Sequence, residues 1–236
     1  MSLFSNMTTE GLEQVKDSLG GFSCLESDVY PAKIKAVYIT TSAKGAMAAN
    51  LIADVHGREY REQIWITNAK GECFFTNKQT GNKVPLPGFT TINDLCICAV
   101  GKPLNELDTA DKTFKLYDYE AKTELPKSVP TITDLCDTEV LLGILKQIVD
   151  KNVKDDAGNY VPSGETREEN VIDKVFNAET KMTVNEAASG KTEGIFITNW
   201  EKKNKGQVRN RAKGKKAEGA TVDGAPQKSA VKSLFG

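Results

Sequence analysis

The chain has 236 residues, which is enough to bury a full hydrophobic core. With 39% hydrophobic and 27% charged residues and no apolar run near the roughly 18 residues that a membrane span needs, it is expected to be soluble, with no membrane role. The net charge of −1 hides an asymmetry, because residues 201–216 carry eight basic residues and one glutamate. The pattern therefore indicates an acidic body with a basic arm.

The N-terminal residues lack the basic region and long apolar stretch of a secretory signal, so export is not expected. The five cysteines are odd in number and scattered, and most lie among apolar residues, as reduced thiols do in cytosolic chains. We expect a reducing compartment. In residues 1–28, helical spacing of Leu12, Val15 and Leu19 before a Gly-Gly pair predicts a helical extension that precedes the main domain.

Three strands joined by short turns are predicted from residue 30 to residue 67. In the first, residues 30–41, Tyr38 is expected on the same apolar face as Ile34, with lysines on the other face. The second strand, 46–55, leads through a tight His56-Gly57 turn into the third, 58–67. In the third strand, alternation places Trp65 on the polar face.

A helix is predicted for residues 90–101, because apolar residues at 92, 95, 96, 99 and 100 have helical spacing. Thr91 with Asp94 resembles an N-terminal cap, and Gly101 followed by Pro103 ends the helix. The polar, proline-containing segment 104–130 is predicted to be a connection with at most a short strand.

Two further strands are predicted in the second half. Residues 140–153 form the longest apolar run, and Gly143 within it suits a strand with a bulge or bend; a buried helix is the alternative. Residues 165–179 favour a fifth strand. The order of three meandering strands, a helix and two strands matches an OB-fold, so we expect a mostly β, OB-fold-like five-stranded barrel over residues 29–190. Residues 191–236 are expected to be a basic, largely disordered arm.

No pattern in the sequence indicates catalysis, a metal site or a cofactor. His56, the single histidine, lies in a predicted turn, and Cys96 and Cys98 are too closely spaced for a zinc site. No glycine-rich phosphate loop is present. Asp54, Glu59 and Glu62 flank one hairpin, as in a metal-dependent nuclease, but solvated strand ends explain them more simply. We therefore expect a protein that is not an enzyme and that leaves DNA intact with magnesium.

Single-strand binders combine cationic grooves with aromatic rings on which bases stack. Trp65 is the leading candidate ring, with burial under another element as the alternative. In the predicted arm, aromatic residues directly precede the basic run, which favours polyanion contact over a solubilising tail. The candidate DNA-binding residues are Lys33, Lys35, Arg61, Trp65, Phe74, Phe75, Lys174, Phe176, Trp200, Lys202, Lys203, Lys205, Arg209 and Arg211.

Three stretches carry a resemblance to a known family: AANLIADVHGREYREQIWITNAKG, VDKNVKDDAGNYVPSGETREENVIDKVFNAET and WEKKNKGQVRNRAKG. The sequence resembles single-stranded-DNA-binding proteins of tailed bacteriophages over most of residues 30–215. The resemblance implies an OB-fold, sequence-tolerant coating of single strands, a role in phage replication and recombination, and a place in the host cytoplasm. Many such proteins end in an acidic tail, whereas this chain ends in QKSAVKSLFG, so regulation by an acidic tail is in doubt.

Two other functions compete with single-strand binding. The first is a transcription-regulating or replication-accessory protein that docks on a polymerase and touches nucleic acid through its basic arm. Its C-terminal end would then contact replication or transcription proteins. The second is the metal-dependent nuclease. Oligomeric state, site size and the preference for RNA or DNA are left open by the sequence.

Overall fold

The computed structural model describes residues 24–118, 121–155 and 160–213, which form ten strands and three α-helices. The strands are β1 (Asp28–Thr41), β2 (Met47–Val55), β3 (Arg58–Trp65), β4 (Phe74–Thr76), β5 (Lys83–Pro85), β6 (Thr109–Asp118), β7 (Thr123–Ile132), β8 (Glu139–Lys154), β9 (Tyr160–Asn177) and β10 (Val208–Asn210). The helices are α1 (Pro87–Val100), α2 (Val184–Ala188) and α3 (Phe196–Asn204). The chain is mostly β, as predicted. The predicted N-terminal helix and residues 214–236 of the arm lie outside the described residues.

Eight of these strands form one sheet. Its antiparallel centre has the order β3-β2-β1-β8-β9. The β6–β7 hairpin joins the far half of β1, where Thr131 lies opposite Tyr38, and β10 runs parallel to β8. The sheet is not closed in the described part of the chain, because the edges of β3 and β9 are not joined backbone to backbone. Instead, the Ile172 N–H on the edge of β9 donates to the Glu62 carboxylate at 2.9 Å. The predicted OB-fold-like five-stranded barrel is not confirmed.

The β1–β3 meander forms where the sequence predicted it. His56 and Gly57 join β2 to β3 with φ angles of 52° and 73°, as a two-residue hairpin turn with positive φ at both positions requires. The pairing register of β1 with β2 shifts between Ile34 and Ala36, so Lys35 forms a β-bulge. The bulge reverses the alternation of β1 beyond this point, which decides where Tyr38 lies.

The main core lies on the inner face of the sheet. Ile34, Leu51 and Ile144 are fully or almost fully buried there, and Ile92 and Leu95 of α1 pack against them. Helix α1 begins at Pro87 rather than at residue 90, and its first turn has no side-chain cap, so the predicted cap by Thr91 and Asp94 is wrong. Proline suits the first position of a helix because its missing N–H would have no partner there. The end of α1 at Gly101, with φ 73°, is as predicted.

Residues 104–130 contain more regular structure than predicted. They hold all of β6 and most of β7, two ten-residue strands. Pro126 and Pro130 of β7 favoured a loop in the sequence, but prolines are tolerated on strands whose second edge is largely free. That second edge of β7 meets β1 only at Thr131.

The apolar run at 140–153 forms strand β8, so the alternative of a buried helix is wrong. The register of β8 with β9 shifts between Gly143 and Ile144, but the extra residue there is Asp173 of β9, so the bulge predicted in β8 is wrong. Gly143 instead leaves room for a neighbour, because an added Cβ would be crowded at 3.2 Å from the Trp200 ring. The predicted fifth strand is present and longer than expected, as β9.

The first part of the predicted disordered arm is folded. Residues 191–213 contain α3 and β10, and β10 adds to the main sheet beside β8. A second small core forms where α3 covers the outer side of β8 and β9, and Trp200 and Phe176 lie at its centre. Ordered structure therefore continues past the predicted boundary at residue 190. No helix in the described ranges is long and apolar enough to cross a membrane.

Candidate nucleic-acid interface

The outer face of the β1–β3 meander carries a row of polar and aromatic side chains. Residues directly opposite each other in antiparallel strands share a face, so the pairing register defines this surface. We call it the β1–β3 outer face. Its members are Lys33, Ala36, Tyr38, Thr40, Ala48, Asn50, Ile52, Asp54, Glu59, Arg61, Gln63 and Trp65.

Tyr38 lies on the outer face, not on the core face where the sequence placed it. The bulge at Lys35 sets Tyr38 opposite Asn50 rather than in line with Ile34. Its ring stacks on Phe114 of β6, with centroids 5.3 Å apart and 26° between the ring planes. Phe114 and Tyr38 are both half-buried, so each ring keeps part of its surface in solvent. Sequence reasoning missed both residues, although the Phe114 and Leu116 alternation in β6 is a strand signal.

A ladder of amide hydrogen bonds crosses the centre of this face. Gln63 Nε2 donates to Asn50 Oδ1 at 3.1 Å, and Asn50 Nδ2 donates to Thr40 Oγ1 at 2.9 Å. These hydrogen bonds join Thr40 of β1, Asn50 of β2 and Gln63 of β3 in one row beside Tyr38. Carboxamide and hydroxyl groups hold both donors and acceptors, which suits contact with base edges.

Trp65 lies on the outer face at the C-terminal end of β3. It is 46% exposed, an unusual position for a large ring on a sheet surface. The sequence-predicted position on the polar face is confirmed, and burial under another element is not. The backbone of Trp65 is closely packed. Gly88 of α1 lies so near the Trp65 carbonyl oxygen that a Cβ on Gly88 would collide with it.

Arg61 is exposed on the outer face, between Trp65 and the end of the face near the Lys35 bulge. Its guanidinium pairs with the Glu59 carboxylate at 2.7 Å. Burial raises the pKa of the Tyr38 phenol, and the charge of Arg61 acts in the opposite direction. Tyr38 is therefore a neutral hydroxyl at physiological pH, with a guanidinium close enough to influence it. A neutral ring beside a cation is the arrangement that stacks a base and contacts its phosphate.

Lys33 lies at the other end of the face, and Lys35 lies beside it in the bulge. Lys33 pairs with Asp137 at 3.1 Å and Lys35 with Asp54 at 3.6 Å, and all four side chains are substantially exposed. Exposed ion pairs of this kind contribute little to stability, so a phosphate can replace the carboxylate at small cost.

Phe74 and Phe75 lie on the short β4–β5 hairpin that follows β3. Lys83 Nζ lies 4.4 Å from the Phe74 ring centroid, and Phe75 is 49% exposed. The structure thus places one ring against a cation and leaves the next ring in solvent, as expected for two adjacent aromatic residues in a strand.

Phe176 and Trp200 are not available for stacking. Phe176 is completely buried and Trp200 is 4% exposed, and the Trp200 Nε1 donates to Asp173 Oδ2 at 2.8 Å. The interpretation of both rings as base-stacking groups is wrong, because α3 folds over β9 and the two rings become part of the same small core. Lys174, on the same face, is only partly exposed.

The basic residues of the arm form a separate ridge along α3, β10 and the residue after it. All five are exposed: Lys202, Lys203, Lys205, Arg209 and Arg211. Lys205 pairs with Asp28 at 2.9 Å, at the first residue of β1. Tyr38 lies ten residues farther along the same strand, which corresponds to about 30 Å. Lys205 is therefore far from the aromatic centre of the outer face, whereas Arg209 and Arg211 line a cavity together with Ile64 of β3 and Gly88 of α1.

Glu186 anchors the segment that brings α3 to the sheet. Its side chain is 5% exposed, and its Oε1 accepts hydrogen bonds from the Ile195 N–H at 3.0 Å and the Phe196 N–H at 2.9 Å. Burial raises the pKa of the Glu186 carboxyl, but hydrogen bonds from Phe196, Thr183, Ile195 and Lys191 outweigh burial, so the pKa lies below its ordinary value.

Glu186→Gln should therefore destabilise the protein near neutral pH by about 1–3 kcal/mol, since hydrogen bonds to a charged acceptor are lost or weakened. A lowered folded-state pKa contributes stability that is full above the unfolded-state value and disappears as pH falls through the folded-state value. The gap between wild type and variant in urea unfolding should close in acid. Glu193→Gln, at an exposed position in the same loop, is the control, and a gap that persists in acid would contradict the charge-based account.

The groups considered for catalysis do not converge. Asp54 and Glu59 lie opposite each other on the outer face, whereas Glu62 projects from the other side of β3. His56 is held in its turn with its ring 5.5 Å from that of Tyr30. The described residues contain no cluster of three or more histidine, cysteine, aspartate or glutamate side chains suited to a metal ion. No known protein family and no curated protein sequence matches this chain.

Proposed function

We propose that the chain binds single-stranded DNA with little sequence preference and without catalysing a reaction, using the β1–β3 outer face and the adjoining β6–β7 hairpin. One observation carries the proposal: the exposed Trp65 and the Tyr38–Phe114 pair flank a hydrogen-bonded amide ladder, with Arg61 beside them. Rings stack bases, and cations neutralise phosphates. The resemblance to phage single-strand binders supports a role in replication and recombination in the host cytoplasm.

The strand arrangement supports an OB-type fold for this function. Following the antiparallel pairings, β3 and β9 run in the same direction and face each other across the open side of the sheet. Helix α1 packs between them, against both strands. We propose that the sheet is an OB barrel that is open between β3 and β9, with the β6–β7 hairpin as an insertion before the fourth barrel strand.

Trp65→Ala tests the outer face directly. We expect a loss of about 1–3 kcal/mol in affinity for a single-stranded oligonucleotide, which is roughly 5- to 150-fold in Kd. Fluorescence anisotropy with single- and double-stranded oligonucleotides measures it, and Trp65→Phe, which keeps a ring, should retain most of the affinity. Unchanged affinity with a lowered melting temperature would make Trp65 a packing residue and would remove the outer face from the proposal.

The ridge should contribute salt-dependent binding. Each phosphate neutralised on single-stranded DNA adds about −0.7 to the slope of log affinity against log salt. Replacing Lys202, Lys203 and Arg211 with glutamine should therefore flatten the slope by about 2 if each contacts one phosphate. Substitution is preferable to deletion from residue 201, because deletion would remove β10 and half of α3.

The matched control replaces three exposed lysines in loops, Lys44, Lys70 and Lys102, with glutamine. The same slope in both variants would mean that the ridge acts only through net charge. Loss of all binding in the ridge variant would instead favour the accessory protein that contacts nucleic acid through its basic segment. The observation that favours this second function is the distance of about 30 Å between Lys205, at Asp28, and Tyr38 of the aromatic centre.

A further inference from the structure

A cleft of about 1140 Å³ lies between the free edges of β3 and β9. Residues 58–63 line one wall and residues 167–171 line the other. Glu62 spans it near one end, where its Oε2 accepts from the Tyr60 hydroxyl at 2.6 Å and from the Ile172 N–H at 2.9 Å. Apart from such side-chain contacts, the facing edges of these two strands have no backbone partner within the described residues.

The described chain begins inside this cleft. Cys24 and Leu25 both line it. The Leu25 N–H donates to Asn170 Oδ1 and the Leu25 carbonyl accepts from Asn170 Nδ2, both at 2.8 Å, so one side chain holds the peptide backbone on both sides. Farther along, the Lys146 N–H donates to Ser27 Oγ at 2.8 Å. Residues 25–27 are thus held against β8 and β9, so the described part of the chain begins at the cleft.

We propose that residues 1–23 of this chain occupy the cleft between β3 and β9 and cover the free edges of both strands. The length is sufficient: β3 spans about 27 Å, whereas 23 residues span about 35 Å as a helix and about 75 Å when extended. In this segment Leu12, Val15 and Leu19 have helical spacing, so a helix would carry all three on one face. Leu25 and Val171 line the cleft and are partly exposed, so they supply apolar surface to an occupant, whereas Val55 and Tyr60 are buried behind it.

The chemistry of the cleft favours this occupant over a nucleic-acid strand. Four glutamates line it (Glu59, Glu62, Glu168 and Glu169) against three arginines (Arg58, Arg61 and Arg167), so the lining offers no excess of positive charge to a phosphate backbone. Covalent attachment at Cys24 also gives the segment an effective concentration on the order of millimolar, which a second copy of the chain does not have at ordinary concentrations.

A photo-crosslinking amino acid placed at Arg58, in the full chain and without DNA, tests the proposal. Crosslinks to peptides from residues 1–23 of the same molecule are expected, and mass spectrometry of mixed light and heavy protein identifies them. Crosslinks joining light to heavy chains would mean that a second copy fills the cleft, and the absence of crosslinks to residues 1–23 would mean an open cleft. Either result would overturn the proposal.

Hydrogen exchange supplies a second measurement that does not require a truncated protein. Replacing Leu12, Val15 and Leu19 with glutamate should speed exchange of backbone amides in residues 58–65 and 166–172 at least tenfold. The matched control replaces the polar residues Asn6, Gln14 and Ser18 with glutamate, adding the same charge. Equal exchange in both variants, or a change in the free edge of β6 as large as that in β3, would contradict docking in the cleft.

Discussion

Trp200→Ala is expected to lower the free energy of unfolding by about 3–5 kcal/mol, the largest stability loss from a single substitution in the C-terminal segment. The Trp200 ring is 4% exposed and packs in the small core that contains Phe176. It also lies directly over Gly143, where the absence of a side chain leaves room for it. Truncation to alanine removes this ring from a closely packed site and leaves a cavity.

Urea unfolding measures the loss, and limited proteolysis should show faster cleavage within residues 196–213. Trp200→Phe separates packing from hydrogen bonding, because it keeps a ring but loses the Nε1 bond to Asp173. Ile195→Ala, at a residue that is 56% exposed next to α3, is the control and should cost little. If Trp200→Ala unfolded at the wild-type urea concentration, α3 would contribute little to the fold.

This packing sets the position of the basic ridge. Lys202 and Lys203 lie on α3 directly after Trp200, and Arg209 pairs with Asp173, which also accepts the Trp200 hydrogen bond. A loosened α3 should therefore weaken the ridge's contribution to the salt dependence of binding. The ridge is thus a folded surface on α3 and β10, which the prediction of a largely disordered arm did not include.

The sequence predicted those elements whose signals are local. The His56-Gly57 turn and the end of α1 at Gly101 depend on positive φ angles at single residues. The outward direction of Trp65 followed from simple alternation in β3, because no bulge interrupts that strand. Such features need no knowledge of distant parts of the chain.

Features that depend on distant contacts were predicted wrongly. The bulge at Lys35 is set by pairing with β2 and moved Tyr38 to the outer face. Trp200 and Phe176 each resembled an exposed ring beside lysines, and only the folding of α3 onto β9 buries both of them. Likewise, the open side of the sheet is bridged by the Glu62 carboxylate, which accepts from the N–H of Ile172, 110 residues away in sequence.

The Tyr38→Ala, Phe114→Ala double variant should lose at least the roughly 1–3 kcal/mol of affinity for single-stranded DNA that one stacking ring contributes, and at most about 6 kcal/mol if both rings contribute fully. The two rings are stacked on each other at 5.3 Å and both are half-buried, so they form one continuous aromatic surface beside the amide ladder. Because they touch, the single variants should not be additive, and a double-mutant cycle in anisotropy titrations gives their coupling.

Tyr117→Ala is the matched control for this pair. Tyr117 lies on the same strand as Phe114 but three residues away, on the opposite face of the β6–β7 hairpin, and it is 52% exposed. It should bind single-stranded DNA nearly as the wild type does, because its ring faces away from Tyr38. A double variant with wild-type affinity would place the DNA path elsewhere than on the hairpin. Equal losses in Tyr117→Ala and the double variant would show that the hairpin binds through its general surface, since the two faces would then contribute alike.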